Sequence, residues 1–370
     1  IQGFEFIREG DYLYFINFDR LFEENFFSKG FVDELTRGLS GNPRDFNIRD
    51  ALRRYNINYK STAKYKLKLE GVKRLSKEIV PFVKSAGRFY LPGSSLKGAI
   101  RSFLTKALNS NLIKHYENAL DQKYQKVINT PPNKKTNVDP KYVSSDAEQR
   151  VFSSPYESPF KYLQISDSSF VSSDDAAVFE IKVMNICDGQ VKWFVKVNNN
   201  VDTPDPALSI LAEGIKAGVK IFGSIKVEPA FVNGNEVMRG LKERMGINVS
   251  ADTSVEFLAG VVRAVAKDYI QREINFYSKY KQAQIVSEYQ KLLNILNSLA
   301  PNQFLLQIGF STGYLSKTVG MFFKKAHFDK LKMIDQRSRI YPDLFPKTKR
   351  IIFKNGQPYT VPGWIKVTIK

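Results

Sequence analysis

The sequence predicts an α+β protein with antiparallel sheets, and three observations carry that prediction. Strand-like and helix-like segments are interspersed through both halves of the chain. Residues 179–184 and 191–197 alternate in polarity on either side of Cys187-Asp188-Gly189, a hairpin signal. Residues 255–280 carry Phe257, Leu258, Val261, Val262, Val265, Tyr269 and Ile270 at helical spacing.

Taken in order, Asp19 is placed to cap a helix from Arg20 to about Phe27, and Leu52 lies in a second helical stretch. Phe89, Tyr90 and Leu91 favour a strand that Pro92-Gly93 stops. Ser94 or Ser95 then caps a helix defined by Leu96, Ala99, Ile100, Phe103 and Leu104. Residues 129–158, rich in polar groups and holding Pro131, Pro132, Pro140 and Pro155, read as a long loop or partly ordered insertion. After the hairpin and the long helix, a further helix runs from about Ala283 to Pro301. Strands return at 304–308, 350–353 and 364–369, with turns at Asn355-Gly356 and Pro362-Gly363. At 370 residues the chain exceeds the usual reach of one core. The expected division is 1–185, with the insertion, and 186–370, with a helical segment over 254–300 and a glycine-rich loop over 309–320.

A single cysteine, Cys187, excludes an internal disulfide, and His115 and His327 have no cysteine pair with which to bind zinc. The expectation is a cytoplasmic protein without metal or cofactor. The longest uncharged stretch, 292–316, is broken by Asn294, Asn297, Pro301, Asn302, Gln303 and Gln307, so no membrane span is expected. The chain begins with Ile1 rather than Met, and its start is expected upstream. A formal charge of +19 makes a polyanion the natural partner class. Twelve Lys or Arg against two acids lie in 60–106, and twelve against three in 321–370, the latter interleaved with aromatics such as Phe323, Tyr341, Phe345, Phe353, Tyr359 and Trp364. Stacking rings beside phosphate-binding cations suit single-stranded RNA, although most such rings belong to cores. The acidic stretch 139–180 suits a basic protein neighbour.

Two turns carry the functional reading. In residues 89–104, FYLPGSSLKGAIRSFL, a strand, a Gly-Ser-Ser turn and a basic helix follow one another. Lys97, Arg101 and Thr105 fall on one helix face near a start whose free N–H groups favour an anion. The spacing is not that of a P-loop, which argues against nucleotide hydrolysis. Residues 304–320, FLLQIGFSTGYLSKTVG, repeat the plan: an uncharged strand, then Gly309, Ser311, Thr312 and Gly313, with Tyr314 offering a ring and Lys317 a cation. Each turn taken singly is also an ordinary strand-to-helix connection.

Together, PGSSLKGxxR and G-x-S-T-G-x-x-S-K-T-x-G resemble the RAMP proteins of CRISPR systems. With the run Phe345-Pro346-Lys347-Thr348-Lys349-Arg350 and the closing Gly363-Trp364-Ile365-Lys366, the chain is similar to the fifth-subunit family of the type III-A Csm effector complex. The resemblance implies two ferredoxin-like, RNA-recognition-type RAMP domains with helical insertions and no hydrolytic centre. It implies a subunit that binds guide RNA, caps its 3′ end and supports guide maturation. The implied partners are the backbone RAMP subunit, the small helical subunit and trimming nucleases. By matching positions it implies RNA contacts from Gly93, Ser94, Ser95, Lys97, Arg101, Gly309, Ser311, Thr312, Gly313, Tyr314 and Lys317. The family's opening strand and Pro-x-His-Ile-Gly-x-Gly-like loop are not visible here, which leaves contacts made there unassigned.

Two other classes compete. A RAMP-fold endoribonuclease needs an acid or base, for which His115 is the best candidate, although a histidine at what reads as a helix end is more often solvated or in a core; His327, inside a basic stretch, equally suits phosphate binding or no role. The loop aspartates Asp146, Asp167, Asp174 and Asp175 are available for target cleavage, but such acids usually solvate loops. A scaffold whose charge meets acidic proteins predicts no dependence of RNA binding on Lys97 or Lys317.

Overall fold

The computed structural model describes residues 1–25, 28–41, 46–131, 141–196, 199–246, 253–334 and 346–370. Among the residues singled out in the sequence, Phe27, Pro132, Pro140, Val197, Tyr341 and Phe345 lie outside these. The chain opens with the hairpin β1 (Phe6–Glu9) and β2 (Tyr12–Ile16), followed by α1 (Phe18–Asn25), α2 (Lys29–Ser40), α3 (Ile48–Arg54), α4 (Tyr59–Thr62) and β3 (Ala63–Leu69). Asn17, not Asp19, opens α1: its side chain accepts the Arg20 amide at 3.4 Å, and Asp19 falls in the first turn. Leu52 is buried in α3, as its helical reading requires. Alternation along β3 turns Leu67 and Leu69 toward a core with Phe6, Leu13, Phe15 and Phe89, and leaves Lys64, Lys66 and Lys68 exposed.

The short strands β4 (Ile79–Val80), β5 (Lys84–Ser85) and β6 (Arg88–Phe89) lead into α5 (Gly93–Ala107), α6 (Asn109–Ile128), α7 (Lys141–Phe152) and β7 (Leu163–Ile165). Helix α7 corrects the loop reading of this stretch. Val143, Ala147 and Val151, four apart, are buried and join the main core beside Leu112 and Leu120 of α6. Packing supplied by α6 outweighs a composition that reads as loop.

Next comes the twelve-residue strand β8 (Ala176–Cys187), to which much of the molecule is tied. It is followed by β9 (Gln190–Lys196), β10 (Asn199–Val201), β11 (Ile210–Ile215), β12 (Ile225–Val227), α8 (Ala230–Asn233), α9 (Glu236–Arg244), α10 (Ser254–Lys279) and α11 (Ala283–Asn297). The chain closes with β13 (Gln303–Gln307), α12 (Tyr314–Lys317), α13 (Lys325–Ile334), β14 (Thr348–Lys354), β15 (Gln357–Thr360) and β16 (Trp364–Thr368). A ten-stranded sheet forms around β8. Its first half pairs with β3, in parallel, and with β11; its second half pairs with β14 and β9, antiparallel. The 185/186 division falls inside β8.

The turn signals act as expected. Asp188 and Gly189 join β8 to β9 with φ of +50° and +73°, and Asn355 and Gly356 join β14 to β15 with +53° and +78°. Both pairs have the left-handed backbone that a two-residue hairpin demands. The seven apolar residues named for the long helix all lie in α10 and are at most 7% exposed, so that helix is the spine of the main core. The fold is α+β, mainly antiparallel, with parallel pairings at β3–β8 and β11–β4.

Candidate functional site

Helix α5 begins at Gly93, with Pro92 as its N-cap residue and no side-chain cap. The Gly93 amide donates to Asp167 Oδ1 at 2.8 Å, so a carboxylate from a distant segment already occupies the first free donor. A Cβ at Gly93 would lie 2.4 Å from the Ile165 carbonyl oxygen and 2.5 Å from that of Ser166. Gly93 therefore permits helix–strand contact and is not open to a ligand, contrary to its reading as an RNA contact. Ser94 and Ser95 are exposed in the first turn and do not cap. Ile100, Phe103 and Leu104 are fully buried, which fixes the opposite face outward.

That outward face is narrower than the spacing implies. Lys97 is half-buried and Arg101 exposed, but Thr105 is buried and donates to the Arg101 carbonyl at 2.7 Å. Arg101 pairs with Glu148 at 2.8 Å and lies 5.3 Å from the Phe160 ring centroid. Its charge is thus shared with α7, an element that composition disguised.

The glycine-rich loop leaves the end of β13, which pairs with β16. Ile308 donates its amide to the Gly363 carbonyl at 2.8 Å, and a Cβ on Gly363 would come within 2.2 Å of the Ile308 oxygen. The Pro362-Gly363 turn is thereby clamped against the loop. Gly309, Ser311 and Gly313 take φ of +95°, +69° and +88°. Nothing lies within 4 Å of a Cβ built on Gly309 or Gly313, so both glycines face open space. Ser311 and Thr312 are buried, and the Thr312 hydroxyl donates to the Gly309 carbonyl at 3.3 Å. Their hydroxyls are not presented outward; the two residues anchor the loop instead. The Tyr314 ring packs against Gly320, where a Cβ would be 2.1 Å from it, and Lys317 is exposed.

The two motifs, more than 200 residues apart, meet. Lys106 of α5 donates its ammonium to the Ser316 carbonyl, and Ser102 Oγ lies 3.5 Å from the Lys317 carbonyl, a long and weak contact. Lys106 is 1% exposed, against the rings of Phe103 and Tyr269, and desolvation pulls its ammonium down to about 7. Sequence reading missed this residue, counting it among the cations of a basic block. The available signal was its place three residues after Phe103, at the edge of the apolar stripe. Also missed was Phe310, exposed between the loop's first two left-handed residues.

Other candidates have structural occupations. His327 is buried: the Lys324 amide donates to its Nδ1 at 2.9 Å, leaving Nε2–H to donate to Glu117 at 2.8 Å. His115 lies half-buried within α6 rather than at a helix end. Asp146 pairs with Lys123, and Asp167 caps α5. Asp174 and Asp175 are exposed in a short 3-10 turn. Among the described residues no group of three or more His, Cys, Asp or Glu is arranged to hold a metal, and no helix is long and apolar enough to cross a membrane. Part of the basic surplus is neutralised internally, by Lys84–Glu213, Lys182–Glu180 and Lys349–Glu273.

An α+β chain whose glycine-rich loop is pinned against a basic helix defines a class: residues 38–316 match the RAMP superfamily, and the chain belongs to it. Within that class it is similar to the CRISPR system Cms protein Csm5 of Methanocaldococcus jannaschii, 23% identical over 358 residues that cover 90% of this chain and 76% of that protein. Two solved structures share its fold. One is a chain of a cryo-EM Csm–crRNA–target RNA ternary complex of a type III-A CRISPR-Cas system, with TM-score 0.65, 19% identity, and 100% and 95% of the two chains covered. The other is the crystal structure of T. onnurineus Csm5, with TM-score 0.64, 18% identity, and 99% and 95% covered.

Proposed function

We propose that this chain is a non-catalytic, guide-RNA-binding subunit of a type III-A CRISPR interference complex, capping the 3′ end of the guide and supporting its maturation and the complex's assembly. The likeness to Csm5 over nearly the whole chain supports membership of such a complex. The observation that carries RNA binding is the contact of Lys106 and Ser102 with the Ser316–Lys317 backbone. That contact sets the helix that carries Lys97 against the segment that carries Lys317, and the open backbone at Gly309 and Gly313 supports the reading that cations and close-approach amides there meet a sugar-phosphate chain. Gly93, Ser311 and Thr312 act as supports in this reading; Ser94, Ser95, Arg101 and Tyr314 remain as flanking contacts.

The partners are the guide RNA, the backbone RAMP subunit, the small helical subunit and trimming nucleases. Residues 1–185 and 186–370 form two lobes that share β8. The full chain, copurified with the other complex subunits, is expected to bring down short guides with one fixed end. Removing the chain is expected to change guide lengths at the other end, read by sequencing the bound RNA. Guide lengths unaffected by its removal would defeat the capping role.

A further inference from the structure

We propose that Phe310, with Arg350 beside it, is a stacking platform for an unpaired base of the bound RNA strand. This rests on the reading of the glycine-rich loop as an RNA-binding surface, and adds to it a contact with the base.

Phe310 is 47% exposed, although a phenyl side chain ordinarily contributes its area to a core. Its surroundings hold it there. Gly309 and Ser311 on either side are both left-handed, an uncommon backbone for serine, while Ser311 and Thr312 are buried. A ring anchored by buried neighbours is already positioned for a partner, so little side-chain freedom remains to be lost on binding. Nucleobases are such partners, because each offers a flat π-face.

Arg350 supplies the charge. It projects from β14 with its guanidinium carbon 5.3 Å from the Phe310 ring centroid. Its β14 neighbours Lys349 and Lys354 pair with Glu273 and Glu70, whereas no described carboxylate lies within ion-pair distance of Arg350. An unneutralised guanidinium at an exposed ring is matched to a phosphate next to a stacked base. The open space at Gly309 and Gly313, and exposed Lys317, lie along the same loop.

The test uses the full chain and a short fluorescein-labelled oligouridine, with affinity measured by anisotropy across a salt series. Phe310→Ala is expected to weaken binding roughly 5- to 150-fold, the loss of one base–aromatic stack, with an unchanged salt slope. Phe310→Trp should retain binding. Arg350→Gln should weaken binding and reduce the slope by about 0.7, the signature of one phosphate contact on a single strand. Thermal melting confirms that each variant folds. Wild-type affinity in Phe310→Ala or Phe310→Leu, or a loss in Phe310→Ala that Phe310→Trp does not restore, overturns the platform. Lys317→Ala separates the two readings: a reduced slope there, with Phe310→Ala unaffected, removes the platform and keeps the loop. Unchanged behaviour in both removes both.

Discussion

Lys317 and Lys106 lie at the same junction, and burial gives them opposite roles. Lys317 is exposed, where a ligand can reach it. Lys317→Ala is expected to lower the log–log salt slope of RNA binding by about 0.7 without changing the melting temperature. Lys106 is sealed between α5 and the glycine-rich segment, where its ammonium is pulled down to about 7 from the ordinary 10.5. Between those values the unfolded chain holds a proton that the folded chain has lost, so unfolding takes up a proton and stability rises with pH. Below about pH 7 both states are charged, and the full cost of the buried ammonium falls on the folded state. The unfolding free energy of the wild type minus that of Lys106→Met should therefore be flat below about pH 6. It should climb toward pH 9 by up to about 1.4 kcal/mol per pH unit. Urea titrations at several pH values measure it; a difference independent of pH means that Lys106 is solvated.

At the scale of elements, legibility followed locality. The turns at Asp188-Gly189 and Asn355-Gly356 and the stripe of α10 depend on residues within a few positions of one another, and all were readable. What was not readable depends on distant segments. The amide of Gly93 is occupied by Asp167, and Arg101 is claimed by Glu148, partners that adjacent sequence does not reveal. Helix α7 was hidden because the prolines that flank it and its own polar residues outnumber a stripe of Val143, Ala147 and Val151 that packing against α6 makes worthwhile. The Gly-Ser-Thr-Gly signal located the loop correctly but not its side chains: positive φ at Ser311 turns both hydroxyl-bearing residues inward and exposes Phe310. The Gly93 contact has its own consequence. A methyl group 2.4 Å from a backbone oxygen cannot be relieved by rotating a side chain, so α5 must shift. Gly93→Ala is expected to destabilise the chain by about 1–3 kcal/mol in urea unfolding, whereas Gly98→Ala, at an exposed site with open space around it, should leave it unchanged or gain up to about 1 kcal/mol.

At the scale of the molecule, β8 decides whether the two proposed lobes act as one. Its first half bonds to β3 and β11 and its second half to β14 and β9, so no cut of the chain separates the lobes without leaving a buried strand unpaired. Glu180 and Lys182 are buried on that strand as an ion pair, and exposing one partner alone is costly. Both tryptophans report on the second lobe: Trp193 lies edge-on to Phe353 at 5.2 Å, and Trp364 stacks on Tyr269 at 5.8 Å. Far-UV circular dichroism reports on the entire chain. If the shared strand couples the lobes, tryptophan fluorescence and circular dichroism will trace one coincident urea transition, the behaviour of a single cooperative unit. Replacing Ile181, near the centre of β8 and in register with Ile210 on one side and Ile352 on the other, with proline should lower both traces together, because it removes a ladder donor from the strand that both proposed lobes need. Traces that separate, with fluorescence holding while ellipticity falls, would mean that the second lobe stands without the first and that β8 belongs to it alone.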